Sequence, residues 1–426
     1  GDATQKEVRS VQDVMLMIDN PIQCGSIQIG SDEFFCTSAQ YLAMNPLNKQ
    51  YYLKWIPNID GSYLHVSFWQ TPYSAIFHAN LGLETLEAGK GSASQADFDY
   101  AKGACHFTRA FALCTIAWQF SKAYNESTAK QDPGAVLDLN ADAFEELKRS
   151  SVEDTYQQII TDLEEAVKYL PMRSNHPTRP SRLAAYGMLA RVYLSMRKYE
   201  KAFEHSNNYL SNQKALLDFN NAGEVDVAGY YPLNPQRFGK EVIYYKQAIE
   251  PVGSIGRLGN VFIDTTLVTT FHANDLRKTA WFRPAGNYNY FKGSYNGSTT
   301  MTGICTDEMF LIRAECYARA NELQKAMDDL NELLITRWQS STFVPFTAAS
   351  KEEATQLILM ERRKELLWRG LRWMDNKRLN EEGANISIVR KAGELTGILA
   401  PRDPRFAMQL PNVLVNNFGY VQNPVE

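Results

Sequence analysis

Long apolar runs are missing from this sequence. No stretch approaches the ~18 apolar residues that a single membrane-spanning helix needs, so nothing in it crosses a bilayer in that way. A dominant charge is missing too. Lys and Arg number 44 against 48 Asp and Glu, a net charge of −4, which is no electrostatic footprint for nucleic acid or an anionic lipid surface. Histidines are few and scattered, at 65, 78, 106, 176, 205 and 272. The six cysteines (24, 36, 105, 114, 305, 316) form no CxxC and no Cys/His group of zinc spacing, so buried thiols are expected, without metal or a disulfide framework. HExxH, GxSxG, GxGxxG and the P-loop are all absent, and no cofactor is indicated. The opening Gly1-Asp2-Ala3-Thr4 is polar and carries no secretory signal, and Gly1 reads as what remains after removal of an N-terminal segment.

What the chain does have is helical periodicity, part of it repeated. Residues 182–210 place small Ala190, aromatic Tyr193 and tight-packing Ala202 at steps of 3 and 9, and residues 306–335 repeat those steps at Ala314, Tyr317 and Ala326. A small residue facing a large one lets two antiparallel helices approach closely, the pattern of a tetratricopeptide-type hairpin. Met196-Arg197-Lys198 and Ala320-Asn321-Glu322 are the predicted turns.

An interrupted unit lies upstream. Its first helix is expected over about 104–122, with Phe107, Ala110, Phe111, Cys114, Ala117 and Trp118 on one stripe. After a loop with Asp132-Pro133-Gly134, the second helix is expected to start at Ser150, capped with Glu153, and to stop at Pro171. A helix from about Phe68 to Leu86 precedes this unit, and a further helical region over 351–380 opens on a Ser350/Glu353 capping box.

The fold class expected is therefore all-α: tetratricopeptide-like hairpins forming a scaffold over about 65–217 and 304–380, within one domain of residues 1–426. Residues 218–303 lose the helical period and turn rich in Gly, Asn, Tyr and Thr. An insertion of that length between two hairpins points to functional loops on a rigid frame. Residues 20–64 have a similar loop character, and the chain is expected to be almost wholly helical outside these two segments.

Candidate binding residues concentrate in the insertion. Trp281, Phe282, Tyr288, Tyr290, Phe291 and Tyr295 are interleaved with Arg283, Asn287, Asn289, Lys292 and Asn296, and loosened by Gly286, Gly293 and Gly297. A sugar ring offers a C–H face to an aromatic ring and a rim of hydroxyls to amides and guanidiniums. The competing reading is a hairpin whose alternate side chains, Tyr288 and Tyr290, face a small core. A second group, Tyr51, Tyr52, Trp55 and Tyr63, offers further candidates in Trp55 and Tyr63, against packing under a long loop. Trp69, Tyr73, Phe77, Phe111 and Trp118 have helical spacing and are expected in the core. Glu361-Arg362-Arg363-Lys364-Glu365 reads as an exposed or semi-buried charged face, with a phosphate or uronate site as the weaker alternative, and Arg372/Asp375 as a local pair.

Eight phrases in order resemble the SusD/RagB family: SFWQTPYSAIFHAN (67–80), KGACHFTRAFALCTIAWQF (102–120), SVEDTYQQIITDLEEAVKYLP (151–171), RPSRLAAYGMLARVYL (179–194), HANDLRKTAWF (272–282), DEMFLIRAECYARANELQKAMDDLNELLITR (307–337), ERRKELLWRGLRWMDNKRL (361–379) and LPNVLVNNFGYVQNP (410–424). The chain is short for that family and lacks its lipobox cysteine. The resemblance implies a protein without catalytic residues that holds an oligosaccharide, or less often a peptide, over a SusC-like TonB-dependent transporter. It also implies attachment to the outer membrane at the cell surface by an N-terminal lipid, carried on a cysteine shortly before Asp2 in the precursor. Two other readings compete: a glycan hydrolase with paired carboxylates, and a tetratricopeptide adaptor that binds a partner's peptide.

Overall fold

The computed structural model describes residues 8–25, 29–141, 147–233, 235, 238–249 and 260–426. The fold is all-α in class, built on helical hairpins. Both predicted hairpins form, as Arg182–Ser195 with Tyr199–Leu210 and as Thr306–Arg319 with Leu323–Leu334. Ala190, Ala202, Ala314 and Ala326 are all fully buried, as close helix approach requires. The turns match as well: Arg197 and Asn321 both enter the left-handed region (φ 58° and 61°), and the next backbone N–H returns to the Tyr193 or Tyr317 carbonyl at 2.9 Å. Asn tolerates that conformation; Arg197 is held there by donating to the Tyr124 carbonyl at 2.8 Å.

The interrupted unit begins earlier than its stripe suggested. Its first helix runs Gln95–Phe120 from a Ser94 cap, and its second runs Val152–Tyr169. Ser151, not Ser150, caps the second helix through the Asp154 N–H, while Ser150 lies in a short strand paired with Pro133–Val136. Arg109 joins the two helices by a bidentate grip on Asp162 at 2.8 and 2.9 Å. Ser350 does cap its helix, but the Glu353 carboxylate accepts from Ala349 N–H rather than from Ser350 N–H. The 351–380 region divides into Lys351–Glu365 and Arg372–Asn380, because Trp368 and Gly370 adopt left-handed backbone (φ 62° and 73°).

Helix does not fill everything outside 20–64 and 218–303. Residues Ile388–Ala392 and Leu395–Leu399 form a hairpin, turned at Gly393 (φ 61°). Its inward Arg390 is buried against the rings of Phe34, Tyr52 and Trp55 at 4.7, 5.0 and 4.8 Å and donates to the Ile29 and Ser31 carbonyls. The hairpin was illegible because its alternation is completed by a guanidinium that only the N-terminal loop makes comfortable inside. The six cysteines are all free and buried, as expected.

The Glu361–Glu365 face is a correction. Glu361, Arg362, Lys364 and Glu365 are buried, and both carboxylates converge on Arg277 from the insertion, at 2.6 and 3.0 Å. Arg372 does not pair with Asp375; it grips Asp32 at 2.7 and 2.8 Å, while Asp375 accepts from Arg362 and Arg378. For Arg372 a partner remote in sequence displaces the expected i,i+3 pair, while Asp375 keeps an i,i+3 partner in Arg378 instead; a buried charge takes its counter-charge wherever the fold supplies one.

Next to this network Glu33 is buried, with one oxygen accepting from the Trp368 N–H at 3.1 Å. Burial raises its carboxyl from 4.5 to about 7. The folded chain thus holds a proton that the unfolded chain releases, so this contribution is full below pH 4.5 and lost as pH rises through 7. Glu33→Gln, which mimics the protonated group, is expected to stabilise the protein at pH 8 by on the order of 2 kcal/mol. Melting temperatures at pH 8 and pH 5 check this: the gain fades at the lower pH, and an equal gain at both would refute it.

Candidate functional site

The aromatic segment of the insertion is a two-stranded hairpin, Phe282–Ala285 with Tyr288–Phe291, closed by Gly286 (φ 62°) and Asn287. The register pairs Phe282 with Phe291 and Arg283 with Tyr290. Alternation then divides the faces: Phe282 and Phe291 go into the core, while Arg283, Ala285, Tyr288 and Tyr290 share the other side.

That second side is a built aromatic platform. Phe35 and Phe262 are paired across a short antiparallel ladder, and Tyr288 packs on both rings at 5.1 Å. Tyr290 lies 4.6 Å from Phe262. The expectation that these tyrosines face a small core holds in part: they rest on a small aromatic base, yet Tyr288 keeps 37% of its surface exposed. Arg283 stands between two rings, 5.1 Å from Tyr290 and 5.2 Å from Tyr230, and donates to the Tyr230 hydroxyl at 3.3 Å. Tyr230 and its neighbour Tyr231 are 59% and 39% exposed and meet edge to face at 4.7 Å. Lys292 secures this wall: its ammonium donates to the Val227 and Gly229 carbonyls, and burial draws its pKa below the usual lysine value. Asn287 is exposed at the hairpin tip.

Other predicted candidates lie inside the protein. Trp281 is 3% exposed, donates from Nε1 to the Lys364 carbonyl at 2.9 Å, and packs on Phe219 and Phe291. A side chain at Gly293 would collide with its ring, which accounts for that glycine. Tyr295 is buried, with its hydroxyl donating to Glu241, its ring under Arg369, and burial holding the phenol far above its usual range. Trp55 is buried with its indole on the Gly30 carbonyl, and Tyr63, half-buried, donates to the Gln409 carbonyl at 2.8 Å. The N-terminal aromatics thus pack under the loop. Trp69, Phe111 and Trp118 are core as expected; Phe77 is 44% exposed and is not.

Sequence reading missed Tyr230, Tyr231, Phe35 and Phe262. The Tyr230-Tyr231 pair between Gly229 and Pro232 was a usable signal, being two large rings at a turn. Phe35 and Phe262 gave none, because their pairing spans the chain.

A concavity of about 720 Å³ lies away from this face, between the two hairpins, lined by Tyr199, Phe203 and Tyr317 among others. Its charges are largely committed within the protein: Arg319 pairs with Glu315 and Glu382, and Lys201 with Glu204. The Glu361 and Glu365 carboxylates, which converge on Arg277, are buried on guanidiniums and out of reach of a polymer. Among the described residues no group of His, Cys, Asp and Glu could hold a metal, and no helix is long and apolar enough to cross a membrane.

Two family models match the chain. One, described as "Starch-binding associating with outer membrane", covers residues 14–194, and the other, described as "SusD family", covers residues 191–397. A SusD superfamily protein from Bacteroides thetaiotaomicron VPI-5482 has the same fold, with 18% identity, 97% of this chain and 100% of that chain covered, and a TM-score of 0.77. A putative sugar binding protein from Bacteroides vulgatus ATCC 8482 is similar, at 17% identity, 99% of both chains and a TM-score of 0.78. So is surface glycan-binding protein A from Bacteroides uniformis, at 15% identity, 98% and 99% coverage and a TM-score of 0.69. The comparison with curated proteins finds no match. At such identities the structural likeness speaks for the fold, while the two sequence models together run from residue 14 to 397. On that ground the chain belongs to the SusD/RagB-like family.

Proposed function

We propose that this chain binds an oligo- or polysaccharide at the outer surface of the cell and delivers it to a SusC-like TonB-dependent transporter, without catalysing any reaction itself. The observation that carries the reading is the platform of Tyr230, Tyr231, Tyr288 and Tyr290 around Arg283, with Asn287 at its edge. Exposed rings held rigid from behind suit the C–H face of a sugar, and the guanidinium and amide suit its hydroxyls. The description of the N-terminal family model and the names of the Bacteroides vulgatus and Bacteroides uniformis proteins support the same ligand class. Anchoring by an N-terminal lipid fits a fold in which no described helix could span a membrane.

Tyr288→Ala, Tyr290→Ala and Tyr230→Ala are each expected to weaken glycan binding severalfold, since ring stacking contributes on the order of 1 kcal/mol beyond area burial. Tyr230→Ala, the most exposed, should leave the melting temperature unchanged. Affinity electrophoresis on a polysaccharide panel, with a turnover assay on the same panel, reads the outcome. Turnover would mean a hydrolase; retention unaffected by all three substitutions would place the site elsewhere.

A further inference from the structure

We infer that the sugar held on this face is acidic, a uronic acid residue whose carboxylate is received by Arg283; this rests on reading the face as a glycan site. Several guanidiniums elsewhere in the protein grip carboxylates: Arg109 holds Asp162, Arg191 holds Glu308, Arg372 holds Asp32 and Arg378 holds Glu315, each with two bonds. Others, Arg197 and Arg390 among them, are spent on backbone carbonyls. Arg283 differs. Among the described residues its one hydrogen bond runs from Nη1 to the Tyr230 hydroxyl, and its Nε and Nη2 have no acceptor. Its two neighbours, Tyr230 and Tyr290, meet it through their rings.

Stacking fixes the plane of a guanidinium while leaving the N–H groups at its edge for another partner. A carboxylate is planar and accepts two parallel bonds from such an edge, which a hydroxyl cannot do. A uronate supplies both halves of the match in one residue, a pyranose face for the tyrosine rings and a carboxylate for the fork. Among the described residues Arg283 has no carboxylate hydrogen-bonded to it; the Lys292 ammonium beside it is tied to the Val227 and Gly229 carbonyls. Those bonds hold the segment that presents Tyr230, so Lys292 positions the wall and Arg283 stays available.

The test uses the full chain and three probes, oligogalacturonate, oligoalginate and hyaluronan fragments, each beside its carboxyl-reduced form, by isothermal titration. At least one uronate should bind roughly tenfold or more tighter than its reduced form. Raising NaCl from about 50 to about 500 mM should shrink that preference, because the pair is partly exposed. Arg283→Gln should bring the two forms to equal affinity. The inference is overturned if no uronate is preferred to its reduced form, if Arg283→Gln keeps the preference, or if a Glu-rich peptide binds as tightly as the best uronate. Binding of reduced or neutral glycans that depends on Tyr288 and Tyr290 would then leave the glycan reading standing alone. Loss of both would show as no dependence on the tyrosines with any probe.

Discussion

Replacing Arg277 with Met is expected to make the protein about 3–5 kcal/mol less stable, the usual consequence of removing one side of a buried ion pair. Arg277 is fully buried and donates to Asp275 at 2.7 and 2.9 Å, to Glu361 at 2.6 Å and to Glu365 at 3.0 Å. Glu365 continues the network to Arg337, which reaches Glu241 at 3.0 Å and the Leu217 carbonyl at 2.6 Å. The network therefore ties the insertion to both the 351–365 helix and the 334–338 turn. Without the guanidinium, three carboxylates face low dielectric with less compensation, and a typical total stability is only about 5–15 kcal/mol. Arg277→Lys should not rescue, because an ammonium cannot serve three carboxylates in a fork geometry. Urea unfolding measures the loss; less than about 1 kcal/mol would show that water or rearrangement takes over the pairing.

Trp281→Ala is expected to lower stability by about 3–5 kcal/mol, the range for emptying a large aromatic from a packed core. It lies among Phe219, Phe291 and the backbone at Gly293, with its N–H already bonded. Tyr288→Ala, only seven residues away, removes a side chain 37% exposed and should act chiefly on binding. Read from sequence, these two residues belong to one binding cluster; in the fold they sit on opposite sides of the same segment. Thermal melts beside glycan affinity separate them. A Trp281→Ala protein that melts near the parent temperature yet loses glycan would put Trp281 in the site and refute its assignment to the core.

How much was legible follows from the range of the forces involved. The two hairpins, their turns and most helix positions were readable because an Ala–Tyr–Ala spacing of 3 and 9 encodes contacts between residues close in sequence. The Ser350 cap was readable for the same reason, and the Ser150/Ser151 slip is one residue in a run where both could cap. That the 281–295 segment is unusually rich in rings was legible as composition: six of them among amides and cations between glycines. Which rings face outward was not. In a strand that choice flips with every residue, and the register of Arg283 with Tyr290 sets it.

By itself, then, the sequence determined the helical scaffold, the place of the insertion, the absence of catalytic and metal motifs, and the family phrases. The tertiary structure decided the rest. It took Trp281, Tyr295 and Trp55 inside, brought Phe35, Phe262 and Tyr230 from distant segments to build the platform, and chose the partners of buried charges such as Arg277 and Arg372. A helix is specified by neighbours a turn apart, whereas a guanidinium or a ring is satisfied by whatever the fold sets against it, and that partner can lie hundreds of residues away, as Asp32 does from Arg372.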